Sequence, residues 1–247
     1  MKKLAAFLAL LAGCLPAAAQ DLVSGVSQDQ IQITSNYTGS DIVVFGAIEQ
    51  KGADQDRDVV VVLRGPETQI VVRRRDRVAG VWINHDAARL NGMPSYYYLA
   101  STRPLSAVAP APVLASEGIG LENLEPRDVT SHHDFRPFWQ AALRQMRTEG
   151  FYNETAGGVE FLSGSLFRAH VPVPASVARG QYNVEVYLFR KGEVQSAQST
   201  PLFIDQTGLE RRLFHFAHTS PLGYGLAAVL MALLMGWLSS LMFRRPL

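Results

Sequence analysis

"GQYNVEVYLFRKGEVQSAQSTPLFI", residues 180–204, alternates apolar and polar side chains on either side of a Lys191-Gly192 pair. On an extended chain Tyr182, Val184, Val186 and Leu188 share one face, and the glycine supplies the turn that sends the chain back. The stretch therefore predicts a β-hairpin with one buried face. Its entry, Gly180-x-Tyr182-x-Val184, has the pattern of the tyrosine corner of Greek-key sandwiches, in which a tyrosine hydroxyl ties down a crossing connection.

The same β pattern runs through the N-terminal half. "IQITS" (31–35), "IVVFGAIE" (42–49) and "VVVVLRG" (59–65) are strand-length apolar runs separated by turn-forming residues. Pro66-Glu67-Thr68 turns the chain into "QIVVR" (69–73), Arg75-Asp76-Arg77 reads as a second turn, and "VAGVWIN" (78–84) as the returning strand. "SYYYLASTRPL" (95–105) is an aromatic strand that ends at Pro104. The pattern then changes. Residues 106–135 are rich in alanine, proline and short polar turns, and in "FRPFWQAALRQMRTEG" (135–150) Phe138, Ala142, Leu143 and Met146 have helical spacing before Gly150 stops them. Strands resume after Gly157-Gly158. The expected fold is mainly β: one immunoglobulin-like β-sandwich over residues 20–207, with a partly helical insertion at about 106–156. Two small β domains split near residue 106 are the alternative.

The ends of the 247-residue chain are apolar. Lys2 and Lys3 precede an apolar run, Leu4 to Leu15, too short to span a bilayer, and Ala17-Ala18-Ala19 offer a signal-peptidase site, so residues 1–19 read as a signal peptide. Leu11-Ala12-Gly13-Cys14 also has the form of a lipobox, the rival reading of the same segment. Cys14 is the one cysteine in the chain and leaves with the signal peptide, so the external domain is stabilised by packing without disulfides. Leu222 to Phe243 is uncharged and, at about 1.5 Å per residue, long enough for the roughly 30 Å hydrocarbon core. It predicts one transmembrane helix over 222–243, preceded by a juxtamembrane segment (208–221) and followed by a short tail (244–247). Arg244 and Arg245 suit the cytoplasmic side, which puts the N-terminal domain in the periplasm and the helix in a bacterial inner membrane.

Taken together, "ITSNYTGSDIVVFGAIE" (33–49), "VVVVLRGPETQIVVRRRDRVAGVWIN" (59–84), "STRPL" (101–105), "GQYNVEVYLFRKGEV" (180–194) and the closing "FAHTSPLGYGLAA…GWLSSLMFRR" resemble the alphaproteobacterial transmembrane protein family Alph_Pro_TM over nearly the whole mature chain. The resemblance implies a signal-bearing, single-span envelope protein often encoded beside a sulfite-exporter-type permease. It implies no activity and supplies no catalytic residues.

The formal net charge is +1, yet "IVVRRRDRVAG" (70–80) holds four arginines. On a strand Arg73 and Arg75 point away from Arg74, so the cluster reads as a charged hairpin end that resists edge pairing. Its other use is as an oxyanion contact, with Arg73, Arg75 and Arg103 as candidate ligand-binding residues and Ser101 and Thr102 offering hydroxyls. Secretion excludes a nucleic-acid partner. Asn84-His85-Asp86 and His132-His133-Asp134 would form a metal site only if both loops met, and His215 with His218 sits where headgroups explain both, so no metal and no cofactor is expected. There is no Gly-x-Ser-x-Gly elbow, Ser-x-x-Lys motif or glycine-rich phosphate loop, and no catalytic residue is assigned. In the membrane helix Ala228, Ala232, Gly236 and Ser240 recur every four residues, a stripe that lets another backbone approach. These features point to a non-enzymatic accessory protein whose helix packs against a multi-spanning permease for sulfite or organosulfur anions, or against a second copy of itself. A periplasmic small-anion binding or sensor module is the alternative, and an envelope enzyme the third reading.

Intact-mass measurement of the purified chain is expected to give an N-terminus at Gln20 without lipid. A diacylglyceryl-modified Cys14, lost in Cys14→Ser, would replace the cleaved signal with a lipoprotein anchor.

Overall fold

From Val59 to Leu63 every side chain is fully buried, because this run is the centre of β4 (Arg57–Arg64), a strand packed on both faces. Val59, Val61 and Leu63 enter one hydrophobic core, and Val60 and Val62 a second. The computed structural model of the protein describes residues 22–33, 37–49, 56–78, 80–131, 134–206 and 216–242. The signal peptide with Cys14 and Gln20, the His132-His133 pair, Arg211, Arg212, His215 and the tail with Arg244 and Arg245 lie outside the described residues.

Antiparallel to β4 lie β7 (Tyr97–Ser101) on one side and β12 (Gly180–Arg190) on the other. Next to β12 is β13 (Glu193–Gln206), then β2 (Gln30–Ile33) in parallel, and beyond β7 is β9 (Tyr152–Ala156), also parallel, completing a six-stranded sheet. A four-stranded antiparallel sheet packs on one face in the order β1 (Leu22–Val26), β3 (Ser40–Ile48), β11 (Leu166–Val173), β10 (Val159–Phe161). Between the two sheets lies the first core. Tyr182, Val184, Val186 and Leu188 all contribute to it, as the alternation of residues 180–188 requires. Lys191 (φ 54°) and Gly192 (φ 84°) form the two-residue turn between the paired Arg190 and Glu193.

Tyrosine hydroxyls fasten this core at its edges. Tyr182 donates to the carbonyl of Ala178 at 2.6 Å, four residues upstream. Tyr96 and Tyr98 reach the carbonyls of Pro172 (2.6 Å) and His170 (3.2 Å), on the part of β11 that β10 no longer flanks. At these sheet edges an aromatic side chain supplies both a donor for the carbonyl and packing volume for the core. Gly46 makes room within the four-stranded sheet for the Phe167 ring of the neighbouring strand, since a Cβ there would lie 2.5 Å from that ring and 2.6 Å from the Val23 carbonyl oxygen.

The outer face of the six-stranded sheet carries Val60, Val62, Tyr97, Leu99, Tyr187 and Phe189, and a third layer covers it. That layer consists of α1 (Leu105–Val108), α2 (Ala111–Ser116), a 3₁₀ turn (Leu121–Asn123), α3 (Arg136–Thr148) and the base of a three-stranded sheet. Phe138, Ala142 and Leu143 are the buried stripe of α3, with Met146 packed beside them, and Gly150 (φ 78°) ends it as its position in the sequence predicts. The three-stranded sheet is β5 (Glu67–Val78), β6 (Val81–Pro94) and β8 (Asp128–Thr130). Its hairpin corrects the turn expected at Arg75-Asp76-Arg77. Strand pairing continues to Val78↔Val81, so the chain reverses only beyond Val78 and the arginines lie along the arm. Apart from the sheets stands α4 (Pro221–Met242), long and apolar enough to cross a membrane.

Removing the Tyr182 hydroxyl leaves the Ala178 carbonyl without its side-chain donor. Tyr182→Phe is expected to cost about 1 kcal/mol, a fall of roughly 2–4 °C in Tm by thermal denaturation. An unchanged Tm would show that water replaces the hydroxyl.

Candidate functional site

Asp58 is the second residue of β4, its side chain almost wholly buried, and Thr102 and Arg103 follow the last residue of β7 directly beside it. Antiparallel pairing of the two strands, ending at Val60↔Ser101, sets them together. Thr102 Oγ1 donates to Asp58 Oδ1 at 2.7 Å, and Arg103 forks onto the carboxylate through Nε (2.8 Å) and Nη2 (2.5 Å). Asp56 stands 3.6 Å from the same guanidinium, and Ser101 donates its hydroxyl to the Arg103 carbonyl. Burial on its own pushes the Asp58 carboxyl up. The hydrogen bonds from Arg103 and Thr102 and the adjacent positive charge outweigh it and hold the group below the ordinary carboxylate range. Two surface depressions of about 500 Å³ each open around this pair, and Asp56, Asp58 and Arg103 line both.

This geometry bears on the oxyanion candidates. Thr102 and Arg103 are committed to Asp58, and an anion approaching Arg103 would meet two carboxylates. Arg73 and Arg75 lie on β5 and line neither depression. The three candidate arginines therefore share neither of these two depressions.

A second ion pair, absent from the sequence reading, links neighbouring strands of the six-stranded sheet, and its arginine reaches the helical layer. Arg64 Nε donates to Glu185 Oε2 at 2.9 Å, its Nη2 donates to the Gly118 carbonyl at 2.8 Å beyond α2, and its guanidinium lies 5.5 Å from the Tyr97 ring centroid. Tyr187 donates to the same Glu185 oxygen at 3.0 Å, and burial together with that carboxylate pushes its hydroxyl up to about 12. The cluster holds the helical layer on the sheet.

On the hairpin, Ile70 and Val72 face the second core with Arg74, which pairs Asp86 at 2.7 Å. Arg73, Arg75 and Arg77 occupy the alternate face and are exposed. A bulge between Arg74 and Arg75 shifts β6 by one residue at His85, so that Arg77 faces Trp82 and Arg75 faces Asn84, while Arg89 joins the same face opposite Val71. Arg77, Arg89 and Trp82 were not singled out from sequence. Simple alternation back from Arg89 would have chosen Ile83 in place of Trp82. Of the two metal-like triplets, Asn84 and Asp86 serve the hairpin as described, and His132-His133 lie outside the described residues.

Ala228, Ala232, Gly236 and Ser240 are all exposed on α4, and a Cβ on Gly236 would meet nothing within 4 Å. With about 100° per residue, a four-residue repeat drifts around a straight helix and follows an i±4 ridge.

A family model described as "Putative transmembrane protein" (Alph_Pro_TM) matches residues 21–245. No curated protein matches the chain. Among solved structures it is similar to a family 123 glycoside hydrolase from Clostridium perfringens, studied for glycolipid glycan hydrolysis. That likeness has 8% identity and a TM-score of 0.27 and covers 77% of this chain but 28% of the hydrolase. It is also similar to AggA, the major subunit of aggregative adherence fimbriae type I from Escherichia coli, at 12% identity and a TM-score of 0.20, over 75% of this chain and 93% of that one. Neither likeness carries anything about activity.

Asp58 has a folded-state pKa depressed below its unfolded value of about 3.9, so its charge contributes stability above that value and ceases to do so as pH falls through the folded pKa. Urea unfolding of wild type and Asp58→Asn is expected to differ equally at pH 7 and pH 5 and to converge below about pH 4. Because Arg103 is half exposed the gap is modest. A gap that persists undiminished in acid would mean the carboxylate's charge is not what the site uses.

Proposed function

The chain belongs to this transmembrane protein family, and from that premise we propose that it is a membrane-anchored accessory or interaction protein without catalytic activity of its own. The observation that carries the reading is α4: an apolar helix of 22 residues that packs against none of the described β layers and has every described side chain exposed or nearly so. In a bilayer, apolar exposure is satisfied by lipid, and small residues on one ridge are useful chiefly for close approach of a second helix. The partner is a multi-spanning permease or a second copy of the chain, with the β layers on the periplasmic side of the inner membrane.

We read the β layers as an immunoglobulin-type sandwich. Supporting this are the order β1-β3-β11-β10 against β2-β13-β12-β4-β7, which parallels the A-B-E-D and A′-G-F-C-C′ arrangement, and the Tyr182 hydroxyl bond at the start of β12. Such sandwiches serve as binding modules in many settings, which suits an accessory role without specifying one. The small-anion reading is the weaker, because Asp58 already takes the charge of Arg103.

Replacing Gly236 with Leu adds an isobutyl group on the ridge and leaves the helix apolar. Crosslinking in native membranes is expected to lose the partner in Gly236→Leu and keep it in Leu234→Ala, at matched expression. Equal recovery in both would reduce α4 to a tether.

A further inference from the structure

From Arg73 and Ala87 outward, β5 and β6 pair only with each other, since β8 reaches no farther along β6 than Arg89. The free part of the hairpin is six residue pairs long, and the steps between them, at about 3.4 Å each, make an arm of roughly 17 Å. A two-stranded ribbon of this kind gains little stability alone. Its composition is therefore informative about what it meets.

One face of the arm carries Arg73, Arg75 and Arg77, continued at the base by Arg89, and none of the four makes an ion pair among the described residues. Arg74, on the opposite face, is neutralised by Asp86. The bulge brings Trp82 onto the arginine face beside Arg77, and Trp82 is 65% exposed, with Val81 (63%) and Ile83 (42%) flanking it at the tip. Cations without counterions beside an exposed indole and aliphatic tip match the chemistry of a bilayer surface. Guanidinium forks fit lipid phosphates, and tryptophan partitions to the headgroup level.

We propose that this arm docks on the bilayer surface, Trp82 entering the headgroup region and Arg73, Arg75 and Arg77 pairing with anionic phospholipid phosphates. The inference rests on the membrane anchor for one thing only, bringing that surface within reach. Residues 207–220 between β13 and α4, 14 in number, span at most about 50 Å. The same chain thus holds the arm near a bilayer at high effective concentration, which no acidic protein partner has by construction. Docking would give the β layers a second point of attachment and fix their orientation over the membrane.

The test uses the full-length protein reconstituted in nanodiscs of phosphatidylcholine, alone or mixed with phosphatidylglycerol, containing lipids brominated near the headgroup. The quenching that wild type shows beyond Trp82→Phe isolates Trp82 from Trp139 and Trp237. Trp82-dependent quenching is expected with phosphatidylglycerol, weakened by high salt and by Arg73→Ser/Arg75→Ser/Arg77→Ser, and retained in the corresponding triple lysine variant. Each arginine removed should lower the docking equilibrium about fivefold. No Trp82-dependent quenching in either lipid, or equal quenching with phosphatidylcholine alone, overturns the proposal. So does co-purification of an acidic protein that depends on the same arginines while Trp82 stays unquenched, which would make the arm a protein-binding device. Flotation on phosphatidylcholine vesicles scores the anchor separately: a chain that floats only with phosphatidylglycerol would refute the anchor and leave the arm's contact standing.

Discussion

The β4–β7 pair is buried on both faces, and this constraint organises the rest of the fold. Val59, Val61, Leu63, Tyr96, Tyr98 and Ala100 commit one face to the four-stranded sheet. Val60, Val62, Tyr97 and Leu99, with Tyr187 and Phe189 from β12, leave the other face equally apolar. Exposing those six side chains would cost on the order of 10 kcal/mol, comparable with the whole stability of a typical domain, about 5–15 kcal/mol. A two-layer sandwich is therefore insufficient for this chain. The helices between β7 and β9 and the base of β6 form the third layer, and Arg64, held by Glu185, ties that layer to the sheet through the Gly118 carbonyl.

With the central pair accounted for, charge separates into two uses. Asp58, Thr102 and Arg103 are turned inward on one another at the end of the β4–β7 pair, where a carboxylate that cannot stay solvated needs its donors. The arm's arginines have no such obligation. Their face is free of ion pairs among the described residues, and the hairpin that carries them contributes to the core only at its base, through Ile70, Val72, Ala88, Leu90 and Met93. A guanidinium held by a buried acid is poorly placed to bind an incoming anion, whereas unpaired guanidiniums on a projecting ribbon are placed to meet a charged surface.

The partition between anchor and domain follows similar physics. The helix α4 is apolar around its circumference and can be satisfied only by lipid or by other helices in lipid. The β layers have cores of their own and the sole cysteine lies outside them, so packing and tyrosine hydroxyl bonds provide their stability. In the function proposed above, the two parts are separate points of interaction: the small-residue ridge of α4, and the arm outside the bilayer.

The amino-acid sequence by itself determined most strands of the two larger sheets, the α3 stripe, the Lys191-Gly192 turn, the tyrosine at the start of β12 and the apolar helix, because each depends on local periodicity and turn chemistry. The polar run Arg75-Asp76-Arg77, read as a turn, is strand because its partner strand continues opposite it. It also carried the alternation that separates Arg74 from Arg73 and Arg75. It did not reveal that Val60 and Val62 need a third layer, because a continuous apolar run has no periodicity to say how many faces are buried. Nor did it show that Arg103 belongs to Asp58, 45 residues away in the chain, a pairing made only when β4 and β7 align. The tertiary structure alone decided which residues share the arginine face. One extra residue at the bulge inverts the facing of β6 from that point on, and a strand bulge is set by cross-strand register and leaves no mark in the pattern of a single strand.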